Sequence, residues 1–92
     1  MTQRQLIAAV RAGLPGFAPR DIDRAVRRIF ASLSAAIVRE ERIDLRGFGN
    51  FTVRHRSPKR GINPKTGKDI AVGQRRVVFF KVGRELMRKI NE

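Results

Sequence analysis

The chain has 92 residues, no cysteine and 21 Lys and Arg residues against 8 Asp and Glu, which gives a net charge of +13 at neutral pH. The size predicts one small domain with a thin core that dimerisation would enlarge, and the lack of cysteine excludes disulfides and cysteine-ligated metals. No apolar run approaches the roughly 20 residues that cross a bilayer, so we expect a soluble cytoplasmic protein without a membrane partner.

The positive charge is concentrated in the second half of the chain. Residues 1–50 carry nine basic and five acidic side chains, whereas residues 51–92 carry twelve and three. A field of one sign this strong predicts a polyanionic partner that lies against the second half.

Two amphipathic helices come first in the predicted order. Thr2 and Gln5 fit a capping box in front of a helix over residues 3–13. Pro19 suits the first turn of a second helix over residues 19–39, because a residue there needs no backbone N–H. The apolar stripe of this second helix is wide enough to pack on both the first helix and a partner subunit.

Three strands and a last helix follow. Apolar and polar residues alternate at 43–46 and again at 51–54, on either side of a Gly-rich turn. Strand residues return at 77–80. The fold class is therefore α+β: two helices, a three-stranded antiparallel sheet with an extended hairpin, and a short C-terminal helix. That helix is predicted over 84–91, with three residues facing inward: Leu86, Met87 and Ile90.

A basic β-hairpin arm is predicted at about residues 54–76, with turn formers clustered at 62–68. A basic two-stranded ribbon can follow a DNA groove and contact phosphates on both of its sides. The alternative is a solvated surface hairpin whose charge serves solubility. Because side chains alternate along a strand, one face of the outgoing strand is expected to carry Arg54, Arg56, Pro58 and Arg60. The basic residues of the arm are Arg54, Arg56, Lys59, Arg60, Lys65, Lys68, Arg75 and Arg76.

The tip of this arm carries Asn63 and Pro64. An apolar wedge at the tip of a basic ribbon can insert between base pairs and kink the duplex. Taken alone, the Asn-Pro dipeptide is more often a plain turn former. Its place in the arm favours the wedge, with Pro64 as the intercalating residue.

Basic residues outside the arm are further candidates for phosphate contacts, with ordinary solvated charge as the alternative for each. They include Arg46, Lys81 and Arg84, and Gly83 offers backbone N–H groups at a helix start. His55 is the only histidine, and no catalytic or metal-ligating motif accompanies it. We therefore expect neither an enzyme nor a cofactor, metal or small-molecule substrate.

Three segments in this order and spacing closely resemble the bacterial HU/integration host factor family of DNA-bending proteins, and the resemblance spans essentially the whole chain. Within the family, residues 42–49 are most similar to the β-subunit branch of integration host factor. The three segments are Arg46-Gly47-Phe48-Gly49-Asn50-Phe51, Gly61-Ile62-Asn63-Pro64-Lys65-Thr66-Gly67 and Phe80-Lys81-Val82-Gly83-Arg84-Glu85-Leu86.

The resemblance implies an intertwined dimer, homodimeric or heterodimeric, that binds the minor groove of double-stranded DNA, bends it and organises the nucleoid or assists larger nucleoprotein complexes. It implies one domain over 1–92, with a helical dimerisation part at 1–40, a sheet with the arm at 41–82 and the last helix at 83–92. Pro64 falls on the intercalating proline, and Lys81 and Arg84 fall where the body clamps phosphates. The gripping residues of the arm would be Arg56, Lys59, Arg60 and Lys65.

Two positions depart from the family pattern. Ile62 stands where the family usually has an arginine before Asn-Pro, and Val82 stands where Pro or Ser is common. Ile62 either extends the wedge or is compensated by Arg60. An RNA-binding structural protein of the ribosomal kind is the alternative function, since charge and size fit it equally well. The candidate DNA-binding set is Arg46, Arg54, Arg56, Lys59, Arg60, Ile62, Asn63, Pro64, Lys65, Lys68, Arg75, Arg76, Lys81 and Arg84.

Overall fold

The computed structural model describes residues 1–62 and 64–92, with the side chains of 59, 60 and 69–72 outside the description. The chain divides into two compact units, Met1–Ala35 and Ala36–Glu92. None of the helices in the described part of the chain is long and apolar enough to cross a membrane. The elements in order are α1 (Gln3–Gly13), α2 (Pro19–Val38), β1 (Ile43–Leu45), β2 (Gly49–Arg56), β3 (Lys59–Ile62), β4 (Asp69–Val72), β5 (Arg75–Val82) and α3 (Arg84–Ile90).

The start of α1 is fixed by the capping box that the sequence predicts. The Thr2 backbone N–H donates to Gln5 Oε1 at 2.8 Å, and the Gln5 backbone N–H donates to Thr2 Oγ1 at 3.1 Å. These two bonds satisfy backbone N–H groups at the helix start that have no partner within the helix. The bounds of α1 match the prediction, and α2 ends one residue before its predicted end.

The core of the helical unit is small. Ile7 of α1 packs with Ile22 and Val26 of α2, and Val10 adds a partly buried contact. These three are the buried apolar residues of the described chain. Further along α2, Ile29 remains 57% exposed and Phe30 is also exposed. Only part of the apolar stripe on α2 is therefore covered by this chain.

The second unit is built on an antiparallel sheet in the order β1-β2-β5. On one face, the Phe80 ring lies 4.7 Å from the Phe51 ring and 5.5 Å from the Phe48 ring, measured between centroids. Gly49 is buried beneath this cluster, and a Cβ there would meet the Phe80 ring at 2.7 Å and the Lys81 carbonyl oxygen at 2.5 Å. The glycine therefore allows the ring to lie directly against the strand.

The predicted arm is interrupted between its base and its outer part. Pairing of β2 with β5 ends at Arg56 and Arg75, and a separate two-stranded ladder of β3 with β4 begins at Lys59 and Val72. Pro58 in the intervening segment has no N–H to give to a ladder. The expected continuous face from Arg54 through Pro58 is therefore wrong, because the outgoing strand breaks at residues 57–58.

The last helix, α3, begins at the predicted residue and ends one residue before its predicted end, but most of its apolar side chains are exposed to solvent. Leu86 is half-buried, whereas Met87 is 45% and Ile90 65% exposed. The prediction that all three face inward is wrong for the latter two.

Candidate nucleic-acid interface

The tip of the hairpin is a turn over residues 64–66 that joins β3 to β4. Gly67 closes the turn with φ +68°, a left-handed conformation that glycine adopts without strain. Pro64, Lys65 and Lys68 are exposed, and Ile62 at the end of β3 is 68% exposed. Asn63 lies outside the described residues, as do the side chains of Lys59 and Arg60.

Basic residues that are far apart in the sequence lie on one face of the sheet. In the β2–β5 register, Asn50 pairs with Lys81, Thr52 with Phe79, Arg54 with Val77 and Arg56 with Arg75. Side chains alternate along each strand, so all of these residues point to the same face. This cationic face, defined by Arg54, Arg56, Arg75 and Lys81, is exposed at each of its four positions.

Phe79 lies within the cationic face and orients one of its members. The carbon at the centre of the Arg54 guanidinium lies 3.9 Å from the centroid of the Phe79 ring, which is a cation–π stack. The ring remains 39% exposed. The partner of this ring in the chain is thus a cation. Sequence spacing alone does not reveal the pair, because it is diagonal across two strands.

Arg76 is directed to the opposite face and already has partners. Its Nη1 donates to the Val38 carbonyl oxygen at 3.0 Å and lies 3.6 Å from Glu40 Oε1. His55, its register partner, has Nε2 at 2.6 Å from the same carboxylate oxygen. Arg76 is therefore separated from the cationic face, although the sequence places it beside Arg75.

The two remaining candidates follow the C-terminal ends of β1 and β5. Arg46 is in the turn from Leu45 to Phe48, which is closed by a bond from the Phe48 N–H to the Leu45 carbonyl at 2.9 Å. Arg84 is the first residue of α3, and both cations are exposed. The expectation that Gly83 offers a free N–H to an anion is wrong, because this group donates to the Phe48 carbonyl at 2.8 Å.

The helical unit carries cations that the sequence reasoning left out of the candidate set. Arg4 of α1 and Arg27 of α2 line one surface groove together with Thr2 and Gln3. In the described part of this unit, Arg11 forms an ion pair with Asp23, and Arg4 and Arg27 take no part in that pair. The signal in the sequence was the placement of basic residues opposite the apolar stripe of α2, namely Arg20, Arg24, Arg27 and Arg28.

The chain is similar to known proteins over almost its whole length. Residues 1–91 match the sequence profile of the family described as "Bacterial DNA-binding protein". The chain belongs to that family. Integration host factor subunit beta of Methylococcus capsulatus is 42% identical over 91 residues, covering 99% of this chain and 96% of that protein. The corresponding subunit of Dechloromonas aromatica is 39% identical over 92 residues, covering 100% of this chain and 98% of that protein.

Two solved structures show the same fold. An HU–DNA cocrystal structure from Anabaena superposes with a TM-score of 0.85 at 26% identity, covering 98% of this chain and 97% of that one. A variant of HU from Thermotoga maritima has a TM-score of 0.69 at 24% identity and shows the fold alone. The predicted family resemblance and the α+β fold class are confirmed. The RNA-binding alternative gains no support from these relatives.

Proposed function

We propose that this protein is an architectural protein that binds the minor groove of double-stranded DNA as a dimer and bends the duplex. The observation that carries the proposal is the cationic face of Arg54, Arg56, Arg75 and Lys81, in a chain of the bacterial DNA-binding protein family. The Anabaena relative was crystallised with DNA, and its fold is the one found here.

Binding would rest mainly on neutralised phosphates. Each phosphate contact that a Lys or Arg makes releases condensed counterions, so log K is expected to fall with log salt by about 0.9 per contact. Arg46, Lys81 and Arg84 would add contacts from the body to those of the arm. On the helical unit, Arg4 and Arg27 are separate candidates for phosphate contacts.

Bending would rest on the hairpin tip. Pro64 and Ile62 are exposed apolar side chains among cations, which is the composition of a minor-groove wedge. Unstacking a base step costs a few kcal/mol, which the additional contacts with bent DNA offset. Duplexes that are already flexible, nicked or mismatched should therefore bind more tightly than a straight duplex.

A second subunit would cover the apolar surface that each unit leaves open. Ile29 and Phe30 in the helical unit, and Val78, Met87 and Ile90 in the sheet unit, are all exposed large apolar residues. Such surface is unusual on a monomer and typical of an obligate partner interface. The relatives are named as subunits, which suits either a homodimer or a heterodimer with a related chain.

The proposed role involves no catalysis, cofactor, metal or small-molecule substrate, and the nucleoid is the expected place of action. The protein would hold DNA in a bent path for packaging or for larger nucleoprotein complexes.

The proposal is tested by measuring affinity and end-to-end distance on straight, nicked and mismatched duplexes at one salt concentration, with structured RNA as competitor. We expect tighter binding to the nicked and mismatched duplexes, shortened end-to-end distances and weak competition by RNA. Equal affinity for all three duplexes with unchanged distances would contradict bending. Stronger competition by RNA than by duplex DNA would favour the alternative.

A further inference from the structure

Glu40 has an uncommon backbone conformation for its residue type. Its φ is +63°. Among the described residues, it is the one residue other than glycine with a positive φ. It follows α2 directly, where the Glu40 N–H donates to the Ile37 carbonyl and the Glu41 N–H to the Ala36 carbonyl, both at 2.9 Å. These two bonds form a Schellman cap, in which the left-handed position is usually glycine. A glutamate there is strained, and such an outlier motivates a search for what its side chain does.

The Glu40 carboxylate joins the end of α2 to both strands at the base of the arm. Oε1 lies 2.6 Å from His55 Nε2 on β2 and 3.6 Å from Arg76 Nη1 on β5. His55 and Arg76 are directly paired in the ladder, one register step before β2–β5 pairing ends at Arg56 and Arg75. The carboxylate therefore contacts both residues of the last but one β2–β5 pair before the strand break.

Arg76 closes the junction from the other direction. It also donates to the Val38 carbonyl at 3.0 Å, one of the terminal carbonyls of α2 that have no helical partner. A cation at a helix C-terminus is favourable for the same electrostatic reason. Glu40, His55, Arg76 and Val38 thus form one connected group, here called the arm-base junction.

We propose that Glu40 is a positioning residue that fixes the base of the arm to the end of α2, so that the direction of the arm is set before DNA binds. This inference rests on the proposed DNA-bending function. The side-chain contacts of the junction are half-exposed, with side-chain exposures of 37% for Glu40 and 53% for His55, so they contribute little to overall stability. Their effect is orientational, since they join two strands and a helix end through one carboxylate.

The adjacent carboxylate supplies a matched control. Glu41 has the same charge one residue away, but it accepts a hydrogen bond from Arg39 Nε at 2.9 Å and does not reach the arm. That hydrogen bond and the Arg39 charge lower the pKa of Glu41. Removing the Glu41 charge changes the net charge as much as removing that of Glu40, yet leaves the arm-base junction intact.

The test compares Glu40→Gly, Glu40→Gln and Glu41→Gln in full-length protein. Glycine suits the left-handed cap, so Glu40→Gly should keep the circular dichroism spectrum and thermal midpoint of the parent. In DNA-free protein, amide hydrogen exchange at residues 53–56 and 75–78 should accelerate about tenfold in both Glu40 variants and stay at the parental rate in Glu41→Gln. Arg76→Gln should reproduce the acceleration, and combining it with Glu40→Gly should add nothing further.

The same variants are then bound to DNA at fixed salt. We expect the bend in both Glu40 variants to be smaller than with the parent, while affinity does not fall, because both substitutions remove a negative charge and leave the cationic face unchanged. Parental exchange rates and bend angles in both Glu40 variants would overturn the positioning role, as would an equal effect of Glu41→Gln. If the parent protein itself fails to bend DNA, the proposed function fails, whereas the exchange measurement on free protein still decides whether Glu40 orders the arm base.

Discussion

The Arg54 guanidinium is stacked on the exposed ring of Phe79, with 3.9 Å between the guanidinium carbon and the ring centroid. Both residues lie on the cationic face. Arg56 lies two positions further along β2, and no aromatic ring of the described residues is stacked on it. Arginine loses considerable rotamer freedom when it is fixed on a phosphate. We expect the stack to order Arg54 before DNA binds, whereas Arg56 would lose that freedom on binding.

Replacing Phe79 with Leu should therefore weaken the contribution of Arg54 to DNA affinity. An exposed cation–π contact is worth about 0.5–1 kcal/mol, or roughly a two- to fivefold change in affinity. A double-mutant cycle in equilibrium binding measures it: Arg54→Gln should cost less in the Phe79→Leu background than in the parent. Arg56→Gln is the control and should cost the same in both. Equal costs for Arg54→Gln in the two backgrounds would show that the stack has no role in binding.

The contact between Gly49 and Phe80 gives a prediction about stability. A Cβ at Gly49 would lie 2.5 Å from the Lys81 carbonyl oxygen and 2.7 Å from the Phe80 ring, so the backbone or the ring must move. Gly49→Ala should lower the free energy of unfolding by about 1–3 kcal/mol, as overpacking does. Gly73→Ala is the control, since nothing lies within 4 Å of a Cβ there. Urea unfolding of both variants measures the difference, and equal stabilities would contradict the packing described for Gly49.

The exposed apolar surface of α2 gives a prediction about assembly. Ile29 is 57% exposed in the single chain. Ile29→Glu should place a charge in the subunit interface and shift the protein to monomer or unfolded chain at micromolar concentration. Ala31→Glu adds the same charge at an exposed position on the opposite side of α2 from the apolar stripe and should leave the dimer intact. Sedimentation equilibrium distinguishes the two, and a parental dimer in Ile29→Glu would exclude this surface as the interface.

Local features of the fold could be predicted from the sequence, whereas non-local features could not. The capping box at Thr2 and the proline at position 19 fix the helix starts locally, so the helix bounds were predicted to within one residue. The alternation of apolar residues likewise predicted the strands of the sheet. The break between Arg56 and Lys59 was not predicted, because the composition of the segment remains basic across it.

The candidate site was predictable residue by residue but not as an arrangement. Which cations share a face depends on the β2–β5 register, which brings Arg75 to the cationic face and turns Arg76 toward Glu40. No local pattern encodes that register, since it arises from long-range pairing. The exposure of Met87 and Ile90 was mispredicted, because the sequence shows that a residue is apolar but not whether it is buried by its own chain or by a second chain.

Ile62 offers a test by restoring the arginine that the family pattern has before Asn-Pro. The Ile62 side chain is 68% exposed beside the hairpin tip, so Ile62→Arg should be accommodated without loss of stability. We expect tighter binding and a salt dependence of log K that is steeper by about 0.9, the value of one added phosphate contact. Gln74→Arg adds the same charge away from the tip and serves as the control. Equal gains in both variants would mean that position 62 has no particular access to the groove.

We propose that the hairpin tip bends DNA and that bending depends on Pro64. The most direct measurement is the end-to-end distance of a labelled duplex, by fluorescence energy transfer, with saturating parent protein and with saturating Pro64→Ala at the same salt concentration. The wedge mechanism predicts that the parent shortens this distance clearly, and that Pro64→Ala loses more of the bend than of the affinity. An unchanged bend with Pro64→Ala, or no bend with the parent, would contradict it.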